Sequence, residues 1–275
     1  MATLKEIKNI SIIGAGNVAT HLAVALHDAG IHINCVCSRH IENATILAER
    51  VGAEAYPLMK DYTGWSKDDL VIVAVKDDAI LKVIETDLLL YSNVVHTSGS
   101  FDSVDMKPHC GSYGAFYPFQ TFRKENEMEI SEVPFFVESS DELVQKLLVV
   151  LGNKLSDNVQ VLSSEGRRKL HISGVFINNF IYYILDKMKG YCLEHKIDSA
   201  SLMPLVHKTI DNALLKKENL QTGPAVRGDK ETILQHIDML QGNKAMQELY
   251  MTLSSLIYEE TNGEKIELQD QPKKG

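Results

Sequence analysis

Up to about residue 162 the chain alternates short apolar runs with amphipathic stretches, and beyond that point the short runs stop. The spacing predicts strands over residues 7–13, 31–37 and 94–96, with helices over 17–29 and 41–51 between and after the first two. Residues 70–75 (LVIVAV) are apolar without alternation, the pattern of a strand buried on both faces of a parallel sheet. A further strand is expected over 133–138 and a helix over 141–152. Strands separated by helices point to βαβ units with right-handed crossovers. The expected fold class is α/β: a Rossmann doubly wound parallel sheet (1–162) followed by a smaller all-helical domain (163–275).

In that second part residues 165–195 form one helical pattern with few breaks, and helices also suit 199–219, 230–240 and 244–260. Gly223-Pro224 interrupts the chain between two of them. Asp229 and Asn243 stand where N-caps belong, with side-chain oxygens able to accept from first-turn amides. The polar tail, 269–275, is expected to be disordered.

Composition narrows the partners. Lys and Arg number 28 against 37 Asp and Glu, a net charge of −9. With no dense basic cluster, neither a nucleic acid nor an anionic membrane surface is an expected partner. The longest nearly apolar run, 172–185, is too short to span a bilayer and reads as a core helix. No basic start and apolar leader follows Met1. Cys35, Cys37, Cys110 and Cys192 do not make a disulfide framework in a chain of this length. On a strand Cys35 and Cys37 share one face, as small buried apolar groups would. A cytoplasmic setting is expected.

One motif carries specific chemistry. Gly14-Ala15-Gly16-Asn17-Val18-Ala19 fits G-x-G-x-x-A, directly after an apolar strand and before an Ala/Leu-rich helix. Gly14 permits a tight turn, Gly16 lets backbone amides approach a pyrophosphate, and Ala19 lets the helix pack closely on the strand. The amides and dipole of the helix start favour the phosphates. An NAD site would place Asp or Glu at the end of the second strand; here stands Cys37-Ser38-Arg39-His40. The Ser38 hydroxyl and the forked donors of Arg39 suit a 2′-phosphate, so the expected cofactor is NADP. The bland alternative for Arg39 is a solvated surface charge.

These residues, with Ala74-Val75-Lys76-Asp77, resemble NADP-dependent reductases related to pyrroline-5-carboxylate reductase and 6-phosphogluconate dehydrogenase-like enzymes. Within that group the chain resembles a two-domain branch of NADP oxidoreductases, through His96-Thr97-Ser98-Gly99-Ser100, the run Gly114-Ala115-Phe116-Tyr117-Pro118-Phe119-Gln120, and Thr222 through Asp229 (TGPAVRGD). The resemblance implies a helical second domain that often dimerises, hence a homodimer, and puts Val75, Lys76 and Thr97 with the cofactor. It departs at one position, where Tyr117 stands in place of an expected histidine.

Hydride transfer asks the protein for orientation and a proton source. Ser98, in the loop after a predicted strand, is placed to bond the nicotinamide carboxamide or the substrate; the alternative is a turn hydroxyl satisfying local backbone. Arg167, His171, Gly174 and Asn178 recur every three or four residues on one helical face, a polar stripe suited to a cleft. His171 is the preferred candidate proton donor, with Tyr117 or neither as the open alternatives, and Asn178 is an orienting amide; the bland reading of both is core or interface polar groups. Arg227 is a candidate for an anionic substrate group, or for holding its own loop by pairing. No spacing among the ten histidines resembles a metal site. The chain therefore reads as an NADP-dependent oxidoreductase acting on a small carbonyl or imine metabolite. The rival reading is a non-catalytic NADP-binding sensor or assembly module.

Overall fold

The computed structural model describes residues 6–57, 59–90, 92–124, 126, 128–215 and 220–266. The end of the helix expected to reach 219 and the tail 269–275 lie outside the described residues. Two compact units divide the chain, Met1–Asp186 and Lys187–Gly275.

The first unit is built on one eight-stranded sheet. Its elements run β1 (Asn9–Ile13), α1 (Asn17–Asp28), β2 (His32–Cys37), α2 (Ile41–Val51), β3 (Glu54–Tyr56), β4 (Leu70–Val73), α3 (Ile80–Ile84) and β5 (Asn93–His96). They continue through β6 (Ser112–Pro118), β7 (Phe135–Ser139), α4 (Glu142–Gly152), β8 (Val159–Val161) and α5 (Ser164–Gly174). The strand order is β3-β2-β1-β4-β5-β6-β7-β8. The first six strands are mutually parallel in the doubly wound order, and β7 turns antiparallel to β6. Strand order reverses between β1 and β4, which opens the crevice where such sheets bind ligands.

The period of two decides how the sheet is covered. Ile10, Ile12, Leu70 and Ile72 point into the core beneath α1, α2 and α4, while Ile13, Val71 and Val73 point to the core beneath α3 and Trp65. Cys35 and Cys37 share that second face, and all four cysteines are buried and free. Asn34 is an extra residue in β2, because Ile10 pairs with Ile33 and Ser11 with Cys35.

Strands β3, β6 and β8 were not legible. β3 and β8 are three residues each. β6 (SYGAFYP) carries a glycine and a proline, poor strand residues that its burial overrides. β4 ends two residues earlier than its apolar run suggested, at Val73, although Ala74 N still donates to the Ile13 carbonyl at 2.7 Å. The long helix is continuous but not uniform. α5, capped by Ser163 Oγ accepting from Gly166 N at 3.3 Å, runs into a π-helical segment, Val175–Phe180, and then α6 (Ile181–Glu194).

In the second unit α7 (Met203–Leu214) follows a short 3-10 turn, and α8 (Pro224–Arg227), α9 (Lys230–Met239) and α10 (Lys244–Asn262) follow. Asp229 caps α9 by accepting from Thr232 N at 3.1 Å, and Asn243 caps α10 by accepting from Met246 N at 3.2 Å. Ala225, Ile233 and Ile266 form its small buried core, with Tyr250 and Tyr258 packed against it.

Candidate active site

The turn after β1 is shaped for close approach. Gly14 has φ +121°, and a Cβ there would run into the Ala74 carbonyl at the end of β4, so only glycine fits. Its amide donates to the Cys37 carbonyl at 2.8 Å, which ties the turn to the end of β2. Ala15 and Ala19 are buried against the sheet. Gly16, Asn17 and Val18 begin α1, and Gly16 as N-cap offers its first turn no side-chain acceptor. Apart from its own neighbouring backbone, no atom of the described residues lies within 4 Å of where a Gly16 Cβ would stand. Uncapped amides facing open space are what a pyrophosphate completes.

At the end of β2, Ser38 N donates to the Tyr56 carbonyl at 3.0 Å, and Ser38 Oγ accepts from His40 N at 3.4 Å. Arg39 is exposed and has no ion pair among the described residues. After β4, Val75 is half-buried and Lys76 exposed. A glycine turn, an uncapped helix start and a free guanidinium at the second strand's tip form a donor set that fits NADP.

A second cluster lies at the ends of β5 and β6. Thr97 N donates to the Val73 carbonyl at 3.2 Å. Ser98 Oγ accepts from Ser100 N at 3.1 Å and Phe101 N at 3.0 Å, so its oxygen does satisfy local backbone. Ser100 Oγ donates to the Asp77 carboxylate, linking this loop to the one after β4. Gly99 touches two side chains at once: a Cβ there would lie 2.7 Å from Tyr117 Oη and 2.7 Å from His171 Cγ. Those two residues are hydrogen-bonded to each other, Oη to Nδ1, at 3.0 Å. Burial pushes the Tyr117 phenol up to about 12.

The α5 stripe faces this cluster. Gly174 packs on Phe119, where a Cβ would lie 2.7 Å from Cε2. Asn178 Nδ2 donates to Thr121 Oγ1 at 2.7 Å and to Asn179 Oδ1 at 2.9 Å. Arg167 departs from the expected cleft-facing stripe. It is fully buried and bonded to Glu138 Oε2 at 2.6 Å, an ion pair that excludes it from ligand contact. Sequence reasoning missed Glu138 and the close approach at Gly99, and left open whether His171, Tyr117 or neither is the proton donor. In the second unit Arg227 stands 3.9 Å from Asp229. Among the described residues no group of three His, Cys, Asp or Glu could hold a metal ion.

Two family models match: residues 9–93 fit the NADP oxidoreductase, coenzyme F420-dependent family, and residues 133–257 fit a domain of unknown function, DUF2520. A Bacteroides fragilis protein assigned as an NADP oxidoreductase has a solved structure that matches 94% of this chain and 100% of its own, at 34% identity and a TM-score of 0.81. The chain belongs to this NADP oxidoreductase family. Membership favours an enzyme over a sensor or assembly module. More remote likenesses show the same fold. A Streptomyces aurantiacus imine reductase matches at 13% identity and TM-score 0.64, covering 91% of this chain and 96% of its own. A Coxiella burnetii pyrroline-5-carboxylate reductase matches at 19% identity and TM-score 0.51, covering 94% and 98%. No curated protein matches the chain.

Proposed function

We propose that this family member uses NADPH to reduce a small carbonyl or imine compound, with the Tyr117–His171 pair supplying a proton to the reduced oxygen or nitrogen. The observation that carries the reading is where that pair sits. Tyr117 is next to last in β6, against Gly99 in the loop that follows β5, on the same strand-end rim as the glycine turn after β1. Gly14, Ala15, Gly16, Asn17 and Val18 would hold the pyrophosphate, and Ser38 and Arg39 the 2′-phosphate. Val75, Lys76 and Thr97 would line the run towards the nicotinamide. When bound, NADPH supplies the hydride.

The chain's own part is orientation and proton delivery. Tyr117 keeps its proton at neutral pH, since burial pushes it up to about 12. One hydrogen bond then allows two arrangements. If His171 Nδ1–H donates to Oη, the phenol proton is free for the product. If the phenol donates to Nδ1, the Nε2–H of His171 is the group left to give. Ser98 keeps its own hydroxyl proton for the carboxamide or the substrate, after accepting two amides. Asn178 has both N–H groups engaged and offers Oδ1 to orient the substrate.

A panel of keto acids, aldehydes, ketones and imines, followed by NADPH oxidation, tests the reading. With a substrate found, His171→Ala is expected to lower kcat by roughly 10²–10⁴ and leave NADPH affinity intact. Tyr117→Phe will match it only if the phenol is the donor. A folded, NADPH-binding protein that consumes nothing on the panel overturns the reductase reading.

The proposal extends to assembly and setting. Ile172, Phe176, Ile177 and Phe180 are 57%, 60%, 64% and 47% exposed on one long helix, an apolar surface suited to a second copy of the chain. Sedimentation at micromolar concentration is expected to give a dimer, and Phe176→Asp a monomer. No helix of the described residues is long and apolar enough to cross a membrane. With the four free cysteines this supports a cytoplasmic enzyme; a tagged chain recovered outside the cytoplasm would refute it.

A further inference from the structure

Behind the 97–101 loop lies a network of polar side chains, buried except for part of Glu138, that the proposed chemistry does not use; among the described residues only Arg167 Nε within it lacks a partner. Arg167 is its centre. Nη1 donates to Glu138 Oε2 at 2.6 Å, and Nη2 donates to the Phe101 carbonyl at 2.5 Å and to Ser164 Oγ at 3.1 Å. Glu138 also accepts from Ser103 Oγ at 2.9 Å, from Ser164 Oγ at 2.8 Å and from Ser164 N at 2.8 Å. The half-buried carboxylate thus accepts four hydrogen bonds.

His96 joins this network to the loop, and its tautomer can be derived. Ser98 N, which can only donate, lies 3.1 Å from Nδ1, so Nδ1 carries the lone pair. The proton therefore sits on Nε2, which donates to Ser103 Oγ at 3.0 Å. Arg167 Nη2, 3.4 Å from Nε2, is then a second donor beside a donor, and it opposes a charge on the ring. Burial first, and Arg167 second, push the imidazole down to about 3, so this chain of bonds does not change across the neutral range. Phe101 packs edge-on against the same ring, with centroids 5.1 Å apart.

We infer that His96, Arg167 and Glu138 are positioning residues that set the 97–101 loop for the nicotinamide half of the cofactor. His96 grips the loop at the Ser98 amide and Arg167 grips it at the Phe101 carbonyl. Arg167 also stands one helical turn before His171, so the same anchor fixes the height of the proton pair above the loop. The inference rests on the NADP reading and adds to it a division of labour. The glycine turn and Arg39 hold the adenosine end, while the buried network serves the reactive end alone.

Two ligands separate the ends. The adenosine fragment 2′,5′-ADP carries the 2′-phosphate without a nicotinamide, and NADPH carries both. Each is titrated calorimetrically against the full-length protein and against His96→Leu, His96→Asn and Glu138→Gln, with melting curves to verify folding. Affinity for 2′,5′-ADP is expected to be unchanged in every variant. NADPH affinity is expected to fall about tenfold in His96→Leu and Glu138→Gln, the worth of one or two hydrogen bonds. His96→Asn restores most of it, because its Oδ1 accepts from Ser98 N in place of Nδ1. If Glu138→Gln does not fold, the His96 pair decides. A folded His96→Leu that binds NADPH as the parent does overturns the inference. So does a parallel loss of both ligands, the mark of a general structural role. A parent protein that binds neither ligand sinks the NADP reading itself, a different outcome from either.

Discussion

Gly99 is where the cofactor loop and the proton pair meet, and Gly99→Ala drives a small wedge between them. The new Cβ would lie 2.7 Å from Tyr117 Oη and 2.7 Å from His171 Cγ. Non-bonded atoms settle at about 3.5–4.0 Å, so each partner must retreat by roughly 1 Å. The pair is joined at 3.0 Å, and a separation near 4 Å is no longer a hydrogen bond. Gly99 does not occupy the left-handed region, so the effect is steric and local. Overpacking costs about 1–3 kcal/mol and the lost bond roughly another 1. At about 2–4 °C per kcal/mol for a chain of this size, Tm should fall by roughly 5–15 °C. Turnover on a substrate from the panel should fall by roughly 10²–10⁴. NADPH affinity should hold. Calorimetry, cofactor titration and turnover read the three quantities separately. An alanine variant that melts and turns over like the parent would mean that Gly99 does not touch the pair. Fully additive losses in Gly99→Ala/Tyr117→Phe would refute the claim that both act through one hydrogen bond.

Arg39, Asp68 and Glu138 carry further measurable consequences. Arg39→Ala should weaken NADPH binding by about 10–100-fold, the range of charge-assisted hydrogen bonds, and leave NADH unaffected; equal losses would remove Arg39 from the 2′-phosphate site. Burial raises Asp68, and hydrogen bonds from Asn34, Ser11 and Tyr62 pull it back only in part, while Oδ2 has no hydrogen-bond partner among the described residues. Its folded pKa is raised, so the wild-type fold loses stability as pH climbs from the unfolded carboxylate range through that raised value. Asp68→Asn should therefore melt higher than the parent at pH 8, by a margin that shrinks towards pH 4; a constant margin would refute the assignment. Glu138 is the opposite case. Burial would raise it, but bonds from Arg167, Ser164 and Ser103 more than offset that and hold the carboxyl low. Its contribution is complete above the ordinary carboxylate value and lost as pH falls through the lowered one. Glu138→Gln should therefore flatten the acid limb of the stability curve and, at neutral pH, cost about 3–5 kcal/mol by stranding Arg167.

Legibility followed the reach of each interaction. The glycine turn, α2 and the caps of α9 and α10 were readable because each is decided within a few residues. β6 was not, because its glycine and proline argue against a strand locally and only burial between β5 and β7 overrides them. The same distance in sequence hid the site's centre. Gly99, Tyr117 and His171 come from three separate segments, and nothing in any one of them announces the others. Arg167 was misread for a related reason. A helical face predicts which residues point together, but not whether they meet solvent or a carboxylate on another strand.

That face has a geometric consequence of its own. His171 meets Tyr117, Gly174 meets Phe119, and Asn178 meets Thr121. The helix advances three or four residues for every two of the segment that leaves β6, and about 4.5 Å of helix faces about 6.6 Å of chain over the first of these steps. α5 and the π segment therefore run alongside the end of β6 and the loop that follows it, contact by contact. The π turn over Val175–Phe180 lies between the second contact and the third, where four helical residues come nearest to the two-residue advance. The stripe is thus also a zipper. Arg167 anchors it in the core and Asn178 closes it on the surface loop. His171 alone carries exchangeable chemistry at its middle, and Tyr117 is the partner that the zipper delivers to it.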